Sequence, residues 1–111
     1  MTRRDSDTWD ASIAGVVLTT TVRFCAVSGD PIELHARYGK VGNILQSLLD
    51  VWCESTSKGL KQGIPLSEYV RTFSARRFSP KGLTGDPLVP ECTSLVDYIV
   101  RAAAQRCGGA L

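Results

Sequence analysis

Apolar and polar positions alternate between Val16 and Tyr38 and predict two strands. From Val16 to Val27 the chain is dense in β-branched residues, with Leu18, Val22, Phe24 and Ala26 on one face. Ser28-Gly29-Asp30-Pro31 supplies a turn, because Gly tolerates positive φ and Pro pre-sets its own. Ile32, Leu34, Ala36 and Tyr38 then point inward against outward Glu33, His35 and Arg37, which completes a β-hairpin.

After Gly39-Lys40-Val41-Gly42-Asn43 the period changes. Ile44, Leu45, Leu48, Leu49 and Trp52 recur at helical spacing, so this stripe is expected to pack on the hairpin and the helix to end near Lys58-Gly59. A second helix follows, with Pro65 in its first turn and Leu66, Tyr69, Val70 and Phe73 on one face. The third opens at Thr93 or Ser94, where Ser94 and Asp97 resemble a capping box. Its apolar stripe is Leu95, Val96, Ile99, Val100 and Ala103, and Cys107-Gly108-Gly109 ends it. Ser74 to Glu91, rich in Pro, Gly and cations, reads as an ordered surface connector.

These elements predict an α+β fold: a β-hairpin or small antiparallel sheet packed against one long and two shorter helices. A bare hairpin is marginal in water and its open edge invites pairing, so an added edge strand or a homodimer is expected. Residues 1–11, charged and rich in Ser, Thr and Asp, read as a flexible N-terminal arm whose Trp9 docks back on the domain. Residues 12–107 form a single domain, and 108–111 a C-terminal tail.

Composition narrows the function classes. At 111 residues the chain suits one domain and cannot hold a large barrel with a cofactor domain. Its 43% hydrophobic and 22% charged residues are ordinary for a globular protein, and a net charge of +2 demands neither nucleic acid nor membrane. No apolar run approaches the roughly 18 residues of a membrane span, and no apolar segment follows the polar N-terminus, so the cytoplasm is the expected location. Cys25, Cys53, Cys92 and Cys107 stand singly, without a Cys-x-x-Cys pair, and read as reduced structural thiols. No metal and no cofactor is expected.

Candidate chemistry is sparse. His35, the one histidine, shares outward parity with Cys25 on the neighbouring strand, the residue types of a catalytic pair, although an exposed structural histidine is the favoured reading. Lys40, between glycines before a helix, superficially suits a phosphate but not in the order of a P-loop. Arg71, Arg76, Arg77 and Lys81, interleaved with Phe73 and Phe78, form the local basic cluster. Guanidinium groups beside aromatic faces suit phosphates and bases. Glu54, Glu68, Glu91 and Asp97 show no spacing that pairs them for acid–base work.

Gly63-Ile64-Pro65-Leu66-Ser67-Glu68-Tyr69-Val70, Phe73, Arg77-Phe78-Ser79-Pro80, Gly85 and Thr93 through Arg101 together resemble a segment near the C-terminal end of adenosylcobalamin-dependent ribonucleotide reductases. The small unit resembles the TSCPD domain, from about Val16 to Arg106. The Thr-Ser-Cys-Pro-Asp string that names that domain is absent, and Cys92-Thr93-Ser94 has another order. Nor does the chain carry the barrel or the paired reducing cysteines of the full enzymes. The resemblance therefore implies no catalytic residue, and a non-catalytic accessory or regulatory module that binds a reductase subunit or a nucleotide. The candidate binding residues are Arg71, Arg76, Arg77, Phe78, Lys81 and Lys40. The alternatives are a small enzyme using Cys25 and His35 or the basic cluster in a dimer cleft, and single-stranded nucleic-acid binding through Arg76, Arg77 and Phe78. Of the three, nucleic acid is the least favoured partner.

Overall fold

The computed structural model describes residues 5–39 and 44–107. An antiparallel three-stranded sheet is built from β1 (Ser6–Ile13), β2 (Val16–Phe24) and β3 (Pro31–Tyr38), in that order. The helices are α1 (Ile44–Lys61), α2 (Leu66–Phe73) and α3 (Leu95–Arg106), and between α2 and α3 a short ladder joins β4 (Gly82–Leu83) to β5 (Glu91–Cys92). The architecture is α+β.

β1 corrects the expectation of a flexible arm. Ser6 to Ile13 pair with β2 from Ser6 opposite Arg23 to Ile13 opposite Val16. Trp9, Ala11 and Ile13 take the core face, while Ser6, Thr8, Asp10 and Ser12 face solvent. The polar density that suggests an arm is thus the wet side of a half-buried strand. Ala14 and Gly15, at φ 55° and 78°, make the two-residue connection to β2 with the positive φ pair that a right-twisted hairpin favours. β2 in turn stops at Phe24, short of the expected Val27, because Cys25 to Asp30 close a turn through Cys25 N–H to Asp30 O at 2.8 Å.

α1 also differs from expectation. Of the predicted stripe only Leu49 is buried, Leu45 and Trp52 are half-buried, and Ile44 and Leu48 are exposed. The buried face is instead Gln46, Leu49, Cys53, Thr56, Ser57 and Leu60. The reason is the neighbour that this helix meets. α1 lies along the outer edge of β3, where backbone groups have no strand to pair with. Gln46 Oε1 accepts from Tyr38 N–H at 2.7 Å and its Nε2 donates to Ala36 O at 3.1 Å. Ser57 Oγ accepts from Leu34 N–H at 2.9 Å and donates to Leu34 O at 3.2 Å. Ala36 N–H is directed at the Cys53 thiol. Side chains of α1 stand in for a fourth strand, and the edge expected to recruit a partner is closed.

α1 continues to Lys61, past the predicted stop, with Gly63 at φ 98° just beyond it. Gly59 is therefore a helical residue, and its missing side chain makes room for α2. A Cβ there would lie 1.8 Å from Tyr69 Oη and 3.0 Å from its Cζ. Alanine gains about 1 kcal/mol of helix propensity but forces a rigid ring to move, which costs about 1–3 kcal/mol. Gly59→Ala is expected to lower stability by about 1 kcal/mol net, and Tyr69→Phe in the same chain to restore part of it. Urea unfolding of the two single variants and the double variant measures both.

α3 is the central element. Tyr98, Ile99, Val100 and Ala102 are fully buried, and the helix is covered on more sides than its five-residue stripe implies. Sheet residues such as Ile13, Leu18, Val22 and Leu34 join it in one core. α2 bridges to α1 through Phe73, whose ring meets Trp52 edge-on at 5.4 Å.

Candidate functional site

The connector between α2 and α3 is held down at two anchors. The first is Asp97. Ser94, the N-cap of α3, accepts from Asp97 N–H at 3.1 Å. The Asp97 carboxylate does not close the capping box but turns onto the connector, accepting from Ala75 N–H at 2.7 Å and Thr93 N–H at 3.0 Å. Arg101 grips the same carboxylate with Nε at 2.9 Å and a terminal nitrogen at 2.6 Å, and reaches Glu91 O at 2.7 Å. Thr93 then fixes the basic segment, donating from Oγ1 to Arg76 O at 2.8 Å and accepting from Phe78 N–H at 3.1 Å. Burial pushes the Asp97 carboxyl up, but the bonds from Arg101, Ala75 and Thr93 outweigh it and hold it below the ordinary value.

The second anchor is Asp86. Its carboxylate accepts from Leu88 N–H at 3.0 Å, from Tyr98 Oη at 2.6 Å and from Arg106 at 3.0 Å. Tyr98 Oη accepts in turn from Trp9 Nε1 at 3.0 Å, and the Arg106 guanidinium lies 4.2 Å over the Trp9 ring. Trp9 thus docks on the domain as expected. Ser12 N–H donates to Thr84 O at 2.8 Å, which ties the connector to β1 as well.

These anchors decide what the predicted binding residues present. Arg71 pairs with Glu68 within α2, and Arg76 Nε turns back to Thr72 O at 3.0 Å. Arg77, Phe78 and Lys81 are exposed. Leu83 and Leu88, which no motif in the sequence singles out, are also exposed further along the connector. A leucine on each side of Thr84-Gly85-Asp86-Pro87 was the available signal, but periodicity has no meaning in such a segment. Lys40 lies outside the described residues. The connector is therefore a rigidly backed surface on which two cations and three apolar side chains face solvent.

Cys25 and His35 do not meet. His35 sits opposite Thr21, so Cys25, just past the end of β2, is four residues further along the chain, about 13 Å away. His35 is engaged by Glu33 at 3.0 Å. Arg23 first, then His35, hold the Glu33 carboxyl down at about 2. The Cys25 thiol is drawn down to about 7 by the Ser28 N–H, the Ser28 hydroxyl and the Val27 N–H, whereas burial pushes Cys53 up to about 12. All four cysteines are free thiols. Among the described residues no group of three His, Cys, Asp or Glu side chains is placed to hold a metal ion, and no helix is long and apolar enough to cross a membrane.

A groove of about 1220 Å³ runs between the outer face of the sheet and α1, past Thr19, His35, Arg37, Glu54 and Lys58. None of the connector residues lines it.

Residues 2–106 match the family described as the TSCPD domain. The chain is 42% identical over 72 residues to the vitamin B12-dependent ribonucleotide reductase of Streptantibioticus cattleyicolor, covering 65% of this chain and 12% of that protein. The enzymes of the same name from Streptomyces avermitilis and Bradyrhizobium diazoefficiens are 40% and 36% identical, over 65% and 66% of this chain and 8% and 6% of theirs. The chain thus spans at most about an eighth of the length of these relatives. No solved structure matches.

Proposed function

The chain belongs to the TSCPD domain family, and on that premise we propose that it is a non-catalytic accessory module of ribonucleotide reduction that docks on a reductase chain. The observation that supports this most is its similarity to one small region of reductases, of whose length it spans about 12% and 8%. A piece of that size carries over a fold and a surface.

The docking surface is the connector. Exposed Phe78, Leu83 and Leu88 interleaved with Arg77 and Lys81 have the composition of a protein interface, where apolar anchors lie among Arg-rich polar contacts. Arg71 and Arg76 are already engaged locally, so half of the basic cluster is committed elsewhere. Asp97 and Thr93 hold the backbone beneath this surface, which lowers the ordering cost of binding.

Interferometry with an immobilised B12-dependent reductase chain tests the reading. Saturable binding is expected, weakened at least about tenfold by Arg77→Glu combined with Leu83→Asp, a change of about 1.4 kcal/mol or more. Lack of binding at saturating concentration overturns it. So does a thermal shift with nucleoside diphosphates or triphosphates in the absence of any reductase contact, which would transfer the surface to a nucleotide.

A further inference from the structure

The two edges of the three-stranded sheet differ. Along β3 the edge is bonded by α1, whose Gln46 and Ser57 reach the backbone of Tyr38, Ala36 and Leu34. β1 has no such cover over most of its length. Ile13 and Val16 close a two-residue hairpin, so the odd-numbered residues of β1 direct N–H and C=O at β2 and the even-numbered ones direct theirs outward. Two bonds fix that parity: Asp5 O accepts from Phe24 N–H inside the hairpin, and Ser12 N–H donates outward to Thr84 O, both at 2.8 Å. Ser6, Thr8 and Asp10 thus hold out three N–H and three C=O groups, and among the described residues nothing bonds them.

Such a row, repeating every second residue at about 6.8 Å, is matched by another extended backbone, which presents the same repeat. Native edges are ordinarily blunted by Lys, Pro or a bulge. β1 carries none of these, and it pairs with β2 in unbroken register.

We infer that a partner adds an extended strand to β1 alongside Ser6–Asp10 and, on the docking reading above, on which this inference rests, that the strand belongs to the reductase chain. Two observations select that occupant. The next outward rung, at Ser12, is already taken by Thr84, which stands between Leu83 and Leu88 in the connector. A strand laid on Ser6–Asp10 therefore abuts the proposed docking surface, and one partner segment can pair with the edge and then turn onto the exposed leucines. Charge is the second. β1 carries Asp7 and Asp10, with Asp5 just ahead, which favour Lys or Arg at the cross-strand positions of the partner and disfavour carboxylates there. A second copy of β1 brings carboxylates of its own.

Amide-resolved hydrogen exchange of the full chain, alone and with a B12-dependent reductase chain, is the test. In the free chain Thr8 and Asp10 N–H should exchange fast, while Trp9 and Ala11 N–H are protected by β2. The reductase chain is expected to slow Thr8 and Asp10 by about tenfold or more. Thr8→Pro removes one outward N–H at a position where an edge strand tolerates proline, and should weaken reductase binding about tenfold. Thr8→Val gives up the hydroxyl contact with Thr21 but keeps the N–H, and should bind as the native chain does. If Thr8→Pro does not fold, as circular dichroism reveals, the exchange result on the native chain decides. Reductase binding that leaves Thr8 and Asp10 unprotected overturns the inference and leaves the docking reading standing. No binding at all overturns the docking reading and this inference with it. Protection of Thr8 and Asp10 already present in the free chain also overturns the inference, and protection that grows with protein concentration assigns the edge to a second copy.

Discussion

Asp97→Ala is expected to destabilise the domain by about 3 kcal/mol, a large part of the stability of a chain this size. The carboxylate is buried and satisfies two connector N–H groups besides Arg101. Its loss leaves those N–H groups without their acceptor, at about 1 kcal/mol or more each. Arg101 is more than a third exposed and recovers part of its own loss from water. The figure therefore sits at the low end for a broken buried pair. Asp97→Asn keeps an acceptor oxygen but not the charge and should fall between the two. Equilibrium urea unfolding with an unchanged slope measures it.

The pH dependence follows from the same carboxylate. Its folded value lies below the unfolded value of about 3.9, so the unfolded chain binds the proton more readily. The stabilisation is complete above the unfolded value and is lost as pH falls through the folded one. The stability difference between the native chain and Asp97→Ala should be constant from about pH 7 to pH 5 and shrink below about pH 4. A difference that stays constant at pH 3 would show that the ionised carboxylate contributes nothing.

Tyr98→Phe should cost about 2 kcal/mol, although it removes one oxygen and leaves the ring in place. That oxygen lies in a fully buried site, donating to Asp86 and accepting from Trp9. Burial, then the adjacent Asp86, push its phenol well above the ordinary value, so it stays a donor throughout the working pH range. With phenylalanine, Asp86 keeps Arg106 and Leu88 N–H, but Trp9 Nε1 loses its acceptor in a half-buried place. Trp9 emission should change with the substitution. In a double-mutant cycle, Tyr98→Phe and Trp9→Phe should be non-additive by at least about 0.5 kcal/mol, as for groups in one network. Additivity would mean that the Trp9–Tyr98 bond contributes nothing.

Much of the fold is legible in residue order. β2, β3 and the three helices are where the pattern puts them apart from their ends, while the turn between the strands opens earlier than expected, at Cys25, and Pro31 already belongs to β3. Ser94 is the cap that its position before an apolar stripe suggests. The family resemblance rests on the same residues, since Leu66, Leu95 and Ile99 are core positions and carry the signature for packing reasons. The candidate site is less legible. Arg77, Phe78 and Lys81 are where a surface was expected, but no pattern announces Leu83 and Leu88, or the commitment of Arg71 and Arg76 to local partners.

The sequence by itself determined which segments are strands and which are helices, because period is a local property of side chains along one backbone. Only the tertiary structure decided which face each turns inward. Ser6–Asp10 became a strand because β2 offered it a ladder. α1 turned Gln46 and Ser57 inward, and Ile44 and Leu48 outward, because its neighbour is a sheet edge whose N–H and C=O groups must be bonded. Asp86, Asp97 and Tyr98 are buried because the connector brings them donors from distant positions in the chain. Hydrophobicity can be read from one residue at a time, whereas a hydrogen-bond partner exists only once the chain has closed on itself.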